Sequence, residues 1–131
     1  MSQFIRNTVN NSDITLKSAG NQLFSYIYVA DAVKAIILLL VKGKAGEAYN
    51  VGNESKSRSL KEIADFLASI NGKKVIFDIP KIDEKQGYST ATKAMLDITK
   101  IKTLDWTENY DVLGGLRRTI DIIKEIKEEQ Y

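Results

Sequence analysis

No cysteine and no histidine occur among the 131 residues of this chain, and proline occurs once. Without cysteine there is neither a disulfide framework nor a thiolate zinc site, and without histidine the commonest metal ligand and general base is missing. The carboxylates are scattered over polar faces and loops, so no nucleophile with an attendant base can be assembled from them. No catalytic and no metal-ligating residue is expected. A thiol-free chain fits a reducing compartment, and a cytoplasmic protein is expected.

An excess of charge of one sign is also lacking. Nineteen basic residues against seventeen acidic ones leave a formal charge of +2, too small and too dispersed for a nucleic-acid or membrane footprint. The longest apolar run, Ala35 to Val41, falls well short of the roughly 20 residues needed to cross a bilayer. Met1 to Arg6 has no apolar segment followed by a small-residue cleavage site, so no signal peptide is expected there. What is present is ordinary for a folded domain: 44% apolar residues and 27% charged ones.

Periodicity divides the chain into alternating short elements. Phe4, Ile5 and Val9 sit at helical spacing before Asn10-Asn11-Ser12, which reads as the tail of a helix whose beginning is lacking. Asp13 to Lys17 alternates Ile14 and Leu16 with polar neighbours, as a half-buried strand does. Tyr26 to Val29, aromatic and β-branched, is expected as a second strand, and Asp31 as the cap of a helix running to about Val41. Ala48 to Val51 is expected as a third short strand ending at Gly52.

Ser59 with Glu62 spells a capping box for a helix through Ile70 that stops at Asn71-Gly72. Lys74 to Ile79 reads as a strand closed by Pro80, followed by a polar surface loop to Lys93. A short helix starts at Asp97 or Thr99, and Trp106 is expected in the core, anchoring the last helix. Asp111 caps that helix, whose apolar positions Leu113, Leu116, Ile120, Ile123 and Ile126 recur every three or four residues. With no repeat, linker or composition break, residues 1–131 read as one α/β unit.

Two features have bearing on function. The helix from Ala32 to Val41 is apolar on every face, with Lys34 its only charge, and such a helix demands cover on both sides. It lies either at the centre of a compact fold or against a missing domain or partner subunit. The second feature is an absence: neither Gly20 nor Gly52 opens the glycine spacing of a dinucleotide-binding turn. Gly114-Gly115, inside the last helix, indicates close packing against a neighbour. The charged run from Lys124 to Glu129 is a solvated helical end.

Three blocks carry a resemblance. Gly20 through Asp31 ends in Tyr-Val-Ala-Asp; Gly43 through Gly52 contains Ala-Tyr-Asn-Val-Gly; and Leu96-Asp97, Thr99-Lys100, Leu104-Asp105-Trp106, Gly115-Leu116 and Thr119-Ile120 follow in order. Together they resemble the carboxyl-terminal part of the extended short-chain dehydrogenases, the NAD-dependent sugar-nucleotide epimerases and dehydratases. The resemblance implies a portion of a Rossmann-like fold, with mixed short strands, four to five helices and a small substrate-binding lobe. It implies that the glycine motif and the catalytic Tyr-x-x-x-Lys lie outside this chain, that NAD or NADP serves the parent protein, and that neither binds this chain alone.

It further implies a UDP-, dTDP- or CDP-linked sugar as ligand. Thr15, Leu16 and Lys17 match a strand lying along the base, and Tyr26 matches an aromatic residue that contacts the nucleoside; a buried strand aromatic is an equal reading of Tyr26. Phe24 stands where relatives carry an arginine for the diphosphate and cannot donate a charge-assisted hydrogen bond. Lys85 and Lys93 are the candidates to replace a second missing arginine, as point charges. The expected partner is an amino-terminal Rossmann half or a second subunit, with a homodimer as a further option.

Overall fold

A computed structural model describes residues 1–53, 57–79 and 92–129. Along them run α1 (Ser2–Val9), β1 (Ile14–Leu16), β2 (Leu23–Phe24), α2 (Val29–Lys42), α3 (Leu60–Ser69), β3 (Val75–Phe77), β4 (Lys93–Ala94), α4 (Thr99–Lys102) and α5 (Val112–Glu128). The fold is α/β with short parallel pairings. β1 lies beside β3, with Ile14 opposite Val75 and Leu16 opposite Phe77, and β2 lies beside β4, with Leu23 opposite Lys93.

Local chemistry sets the ends of the longer helices. The Glu62 N–H donates to Ser59 Oγ (3.1 Å) while Glu62 Oε2 accepts from the Ser59 N–H (2.8 Å), so the capping box at α3 is complete. Gly72, at φ 62°, turns the chain so that the Lys73 N–H closes back on the Ala68 carbonyl (2.9 Å). Asp111 Oδ1 accepts from the Gly114 N–H (2.7 Å) at the start of α5. The apolar stripes of these helices and of α1 then meet over β1, burying Phe4, Ile14, Leu16, Ile63, Leu67 and Ile120 together.

A second hydrophobic cluster stands apart from the first. It consists of Ala35 on α2, Ile98 and Ile101 around α4, and Trp106, with Ile27, Leu38, Leu39, Tyr49 and Val51 packed against it. Trp106 is core, as expected, but its partners are α2 and α4 rather than the last helix.

Three expectations about the segments around α2 need correction. Tyr26 to Val29 is not a strand: the pairing residues are Leu23 and Phe24, and Val29 already opens α2. Ala48 to Val51 is not a strand either. Both stretches have β-forming side chains, but a strand exists only as part of a ladder, and the backbone bond recorded between these two stretches runs from the Asn53 N–H to the Tyr26 carbonyl (2.8 Å). Nor does Asp31 cap the helix; the N-cap is Tyr28, and the Asp31 side chain turns inward.

α2 is buried on one face only. Asp31, Ala35, Leu38 and Leu39 face the second cluster, while Val29, Val33, Ile36, Ile37, Leu40 and Val41 form the opposite face and are between 49% (Val33) and 81% (Leu40) exposed. The described residues therefore do not enclose the helix, contrary to the reading that it sits at the centre of a compact fold. Among the described residues no helix is long and apolar enough to cross a membrane.

Candidate functional site

β1 carries two of the candidate binding residues, Thr15 and Leu16, with Lys17 just past its end, and its pleat separates their roles. Ile14 and Leu16 point into the core, where Leu16 is 1% exposed, so the Leu16 side chain is a packing element. Its carbonyl is also taken, accepting from the Asp78 N–H (2.9 Å). Thr15 lies on the opposite, half-exposed face. Lys17, just past the strand, is exposed and forms an ion pair and hydrogen bond with Asp78 beyond β3. That pairing balances the lysine charge locally.

Tyr26 lies at a different place, between the first core and a cavity of about 320 Å³. One wall of the cavity is the segment from Tyr26 to Val29 with Asn53, and the facing wall is the start of α5, where Asp111, Val112, Gly115, Leu116 and Thr119 contribute. Burial pushes the Tyr26 phenol above its ordinary value, so it stays a neutral hydrogen-bonding group at physiological pH. Phe24 meets Tyr26 edge to face, with ring centroids 6.5 Å apart. The lining is mainly apolar, with a few polar groups at the rim, the usual character of a small-molecule or side-chain pocket.

The remaining basic candidates are not gathered here. Lys93 is exposed on β4, two-stranded with β2, and Lys85 lies outside the described residues. Phe24 sits on β2 and presents an apolar ring, with no charge to offer an anion. A Cβ at Gly20 would come within 2.8 Å of Lys61, so that glycine serves close internal packing, whereas one at Gly52 would meet Ser25 at an ordinary 3.4 Å. Among the described residues no cluster of His, Cys, Asp or Glu could hold a metal ion.

Several site-forming residues escaped the reading of the sequence. The Asp31 carboxylate, fully buried, accepts the N–H of Asn109 at Oδ1 and of Tyr110 at Oδ2, both at 3.0 Å. Asn53 Nδ2 donates to the Tyr110 carbonyl (2.7 Å), and the Tyr110 ring packs on Tyr28 with centroids 4.6 Å apart. Asn50 donates its side-chain N–H to the Asp97 carbonyl (3.0 Å). The expectation for Gly115 holds: a Cβ there would come within 2.9 Å of the Tyr28 ring. A tyrosine-rich stretch ending in Asp was visible in sequence, but its partners lie some 78 positions away.

The α/β fold with short parallel pairings is shared with solved nucleotide-sugar epimerases and dehydratases. The crystal structure of a UDP-glucose 4-epimerase from Thermotoga maritima with UDP-glucose superposes with a TM-score of 0.79 at 24% identity, covering 95% of this chain and 39% of that one. In sequence, the model of the NAD dependent epimerase/dehydratase family matches residues 1–52. The low-salt glycan biosynthesis protein of Haloferax volcanii is 25% identical over 119 residues, which is 91% of this chain and 37% of that protein. dTDP-glucose 4,6-dehydratase 1 of Escherichia coli is 25% identical over 123 residues, 89% of this chain and 34% of that protein.

The chain is thus similar to nucleotide-sugar epimerases and dehydratases over most of its own length, and to the NAD dependent epimerase/dehydratase family over residues 1–52. It spans between a third and two-fifths of the length of these relatives.

Proposed function

We infer that this chain supplies the nucleotide-sugar-binding part of an NAD-dependent sugar-nucleotide epimerase or 4,6-dehydratase and does not catalyse the reaction by itself. The observation that carries the reading is the similarity to these enzymes over nine-tenths of the chain, joined to a sequence with no His and no Cys. Chemistry and cofactor binding then belong to a cytoplasmic partner portion of Rossmann type, NAD- or NADP-dependent, whose apolar surface covers the outer face of α2. The exposed aliphatic face supports this, since soluble proteins rarely leave so large a patch bare.

In this reading Thr15 and the main chain of β1 lie along the base, and Tyr26 contacts the nucleoside. With Phe24 in place of a guanidinium and Lys17 already paired to Asp78, the diphosphate is held by point charges such as Lys93 or Lys85 rather than by a bidentate clamp. Calorimetric titration of the chain with UDP-, dTDP- and CDP-glucose tests this. Binding of one nucleotide sugar, weakened by Tyr26→Ala, supports the reading. Tight binding of NAD to the chain alone, with no response to any nucleotide sugar, refutes it.

A second reading is a stand-alone interaction module that dimerises through α2, favoured by the exposed face and by Phe24. Light scattering decides between them: a two-fold mass at micromolar concentration that Leu40→Lys returns to the monomer value selects the module.

A further inference from the structure

The described chain has two hydrophobic clusters that share no residue. Where they meet, the contact is a polar and aromatic knot. The buried Asp31 carboxylate on the first turn of α2 takes the N–H groups of Asn109 and Tyr110, and Lys34 one turn on donates to the Thr107 carbonyl (2.8 Å) and to Asn109 Oδ1 (3.2 Å). Tyr110 is held in turn by Asn53 and Tyr28, and Tyr28 presses on Gly115 of α5. The 320 Å³ cavity opens along the same seam, with Ile27 to Val29 and Asn53 on one side and Val112, Leu116 and Thr119 on the other.

A carboxylate that accepts two backbone N–H groups makes charge-assisted bonds, stronger than neutral ones. The side chains that line the pocket beside these bonds do not pack on one another across it. The join beside the pocket therefore leans on directional bonds, whereas each cluster is held by many dispersion contacts.

We propose that Asp31 is the latch of a two-part fold. The layer of α2, α4 and Trp106 and the body of α1, α3, α5 and β1 open as separate cooperative units, and the Asp31 carboxylate sets how tightly they are coupled. If the proposed function holds, the layer faces the cofactor-binding portion and the body carries the base-binding strand, so the latch transmits closure from one to the other. The latch itself requires only this chain.

Native-state hydrogen exchange of the whole chain tests the proposal. In the unsubstituted protein, amides of α2 and of residues 100–106 are expected to exchange through an opening reached at lower denaturant than that of Ile63 to Ala68 in α3. Asp31→Asn keeps the size of the side chain and one acceptor oxygen but turns an N–H₂ toward a backbone N–H. It is expected to speed exchange in α2 and at Asn109 and Tyr110 by roughly tenfold or more, leaving Ile63 to Ala68 unchanged. A single opening shared by both regions in the unsubstituted protein overturns the latch, as does equal acceleration in α2 and α3. If Asp31→Asn fails to fold, the denaturant series on the unsubstituted chain decides alone. Nucleotide-sugar titration reports on the proposed function independently.

Discussion

The body built on α1, α3, α5 and β1 closes on itself, whereas the layer built on α2, α4 and Trp106 is closed on one side only. In the body each helix has one apolar stripe, and three stripes and a strand suffice to bury one another. α2 has apolar residues on two opposite faces and, among the described residues, finds partners for only one of them. The difference shows that an element's own hydrophobicity sets how much cover it needs, while the cover must come from what else is present.

The comparison is broken most severely by removing the layer's centre. Trp106→Ala is expected to cost about 4 kcal/mol, as for other buried tryptophans, and to melt the layer before the body. Urea unfolding followed by far-UV circular dichroism should become biphasic, and a single unshifted transition would contradict the assignment. Asp31→Ala, which removes the acceptor of two part-buried N–H donors, is expected to cost about 2 kcal/mol in the same measurement, again with the first phase most affected.

A change in the body should leave the layer alone. Ser59→Ala removes the capping hydroxyl of α3 and is expected to cost about 1 kcal/mol, without loosening α2. The same box has a pH signature. Glu62 is held below the usual carboxylate range by the Ser59 backbone N–H, then by the Ser59 hydroxyl and Arg58. Its folded value lies below its unfolded one, so its contribution is fully present above the ordinary glutamate value and is lost as pH falls through the folded one. Glu62→Gln should flatten the acid side of the stability profile in that window. The smallest effect is expected at the outer face of α2. Leu40→Lys should change the stability of the chain by no more than about 0.5 kcal/mol in urea unfolding, because that side chain is bare.

Much of the body was legible beforehand because its signals are local. Ser59 and Glu62 are three residues apart, Asp111 caps the helix it adjoins, and Gly72 stops the helix it follows. The candidate site was legible only in part. Tyr26 was found by its motif and does line a cavity, but Leu16 proved to be core, and Lys17 proved to be paired with Asp78 across the parallel β1 and β3. Neither outcome has a sequence signal, since strand pairing decides which face of β1 is dry.

By itself the sequence determined the helices α1, α3 and α5, the strands β1 and β3, and the doubly apolar nature of α2, all of which follow from periodicity and capping within a few residues. Only the tertiary structure decided that Tyr26 to Val29 and Ala48 to Val51 stay outside any ladder, that Leu23 and Phe24 pair with Lys93 and Ala94, and that Asp31 binds a loop 78 residues away instead of capping its own helix. The reason is physical. A cap is satisfied by its neighbours in the chain, but a ladder bond or a buried carboxylate is satisfied only by groups that folding brings to it.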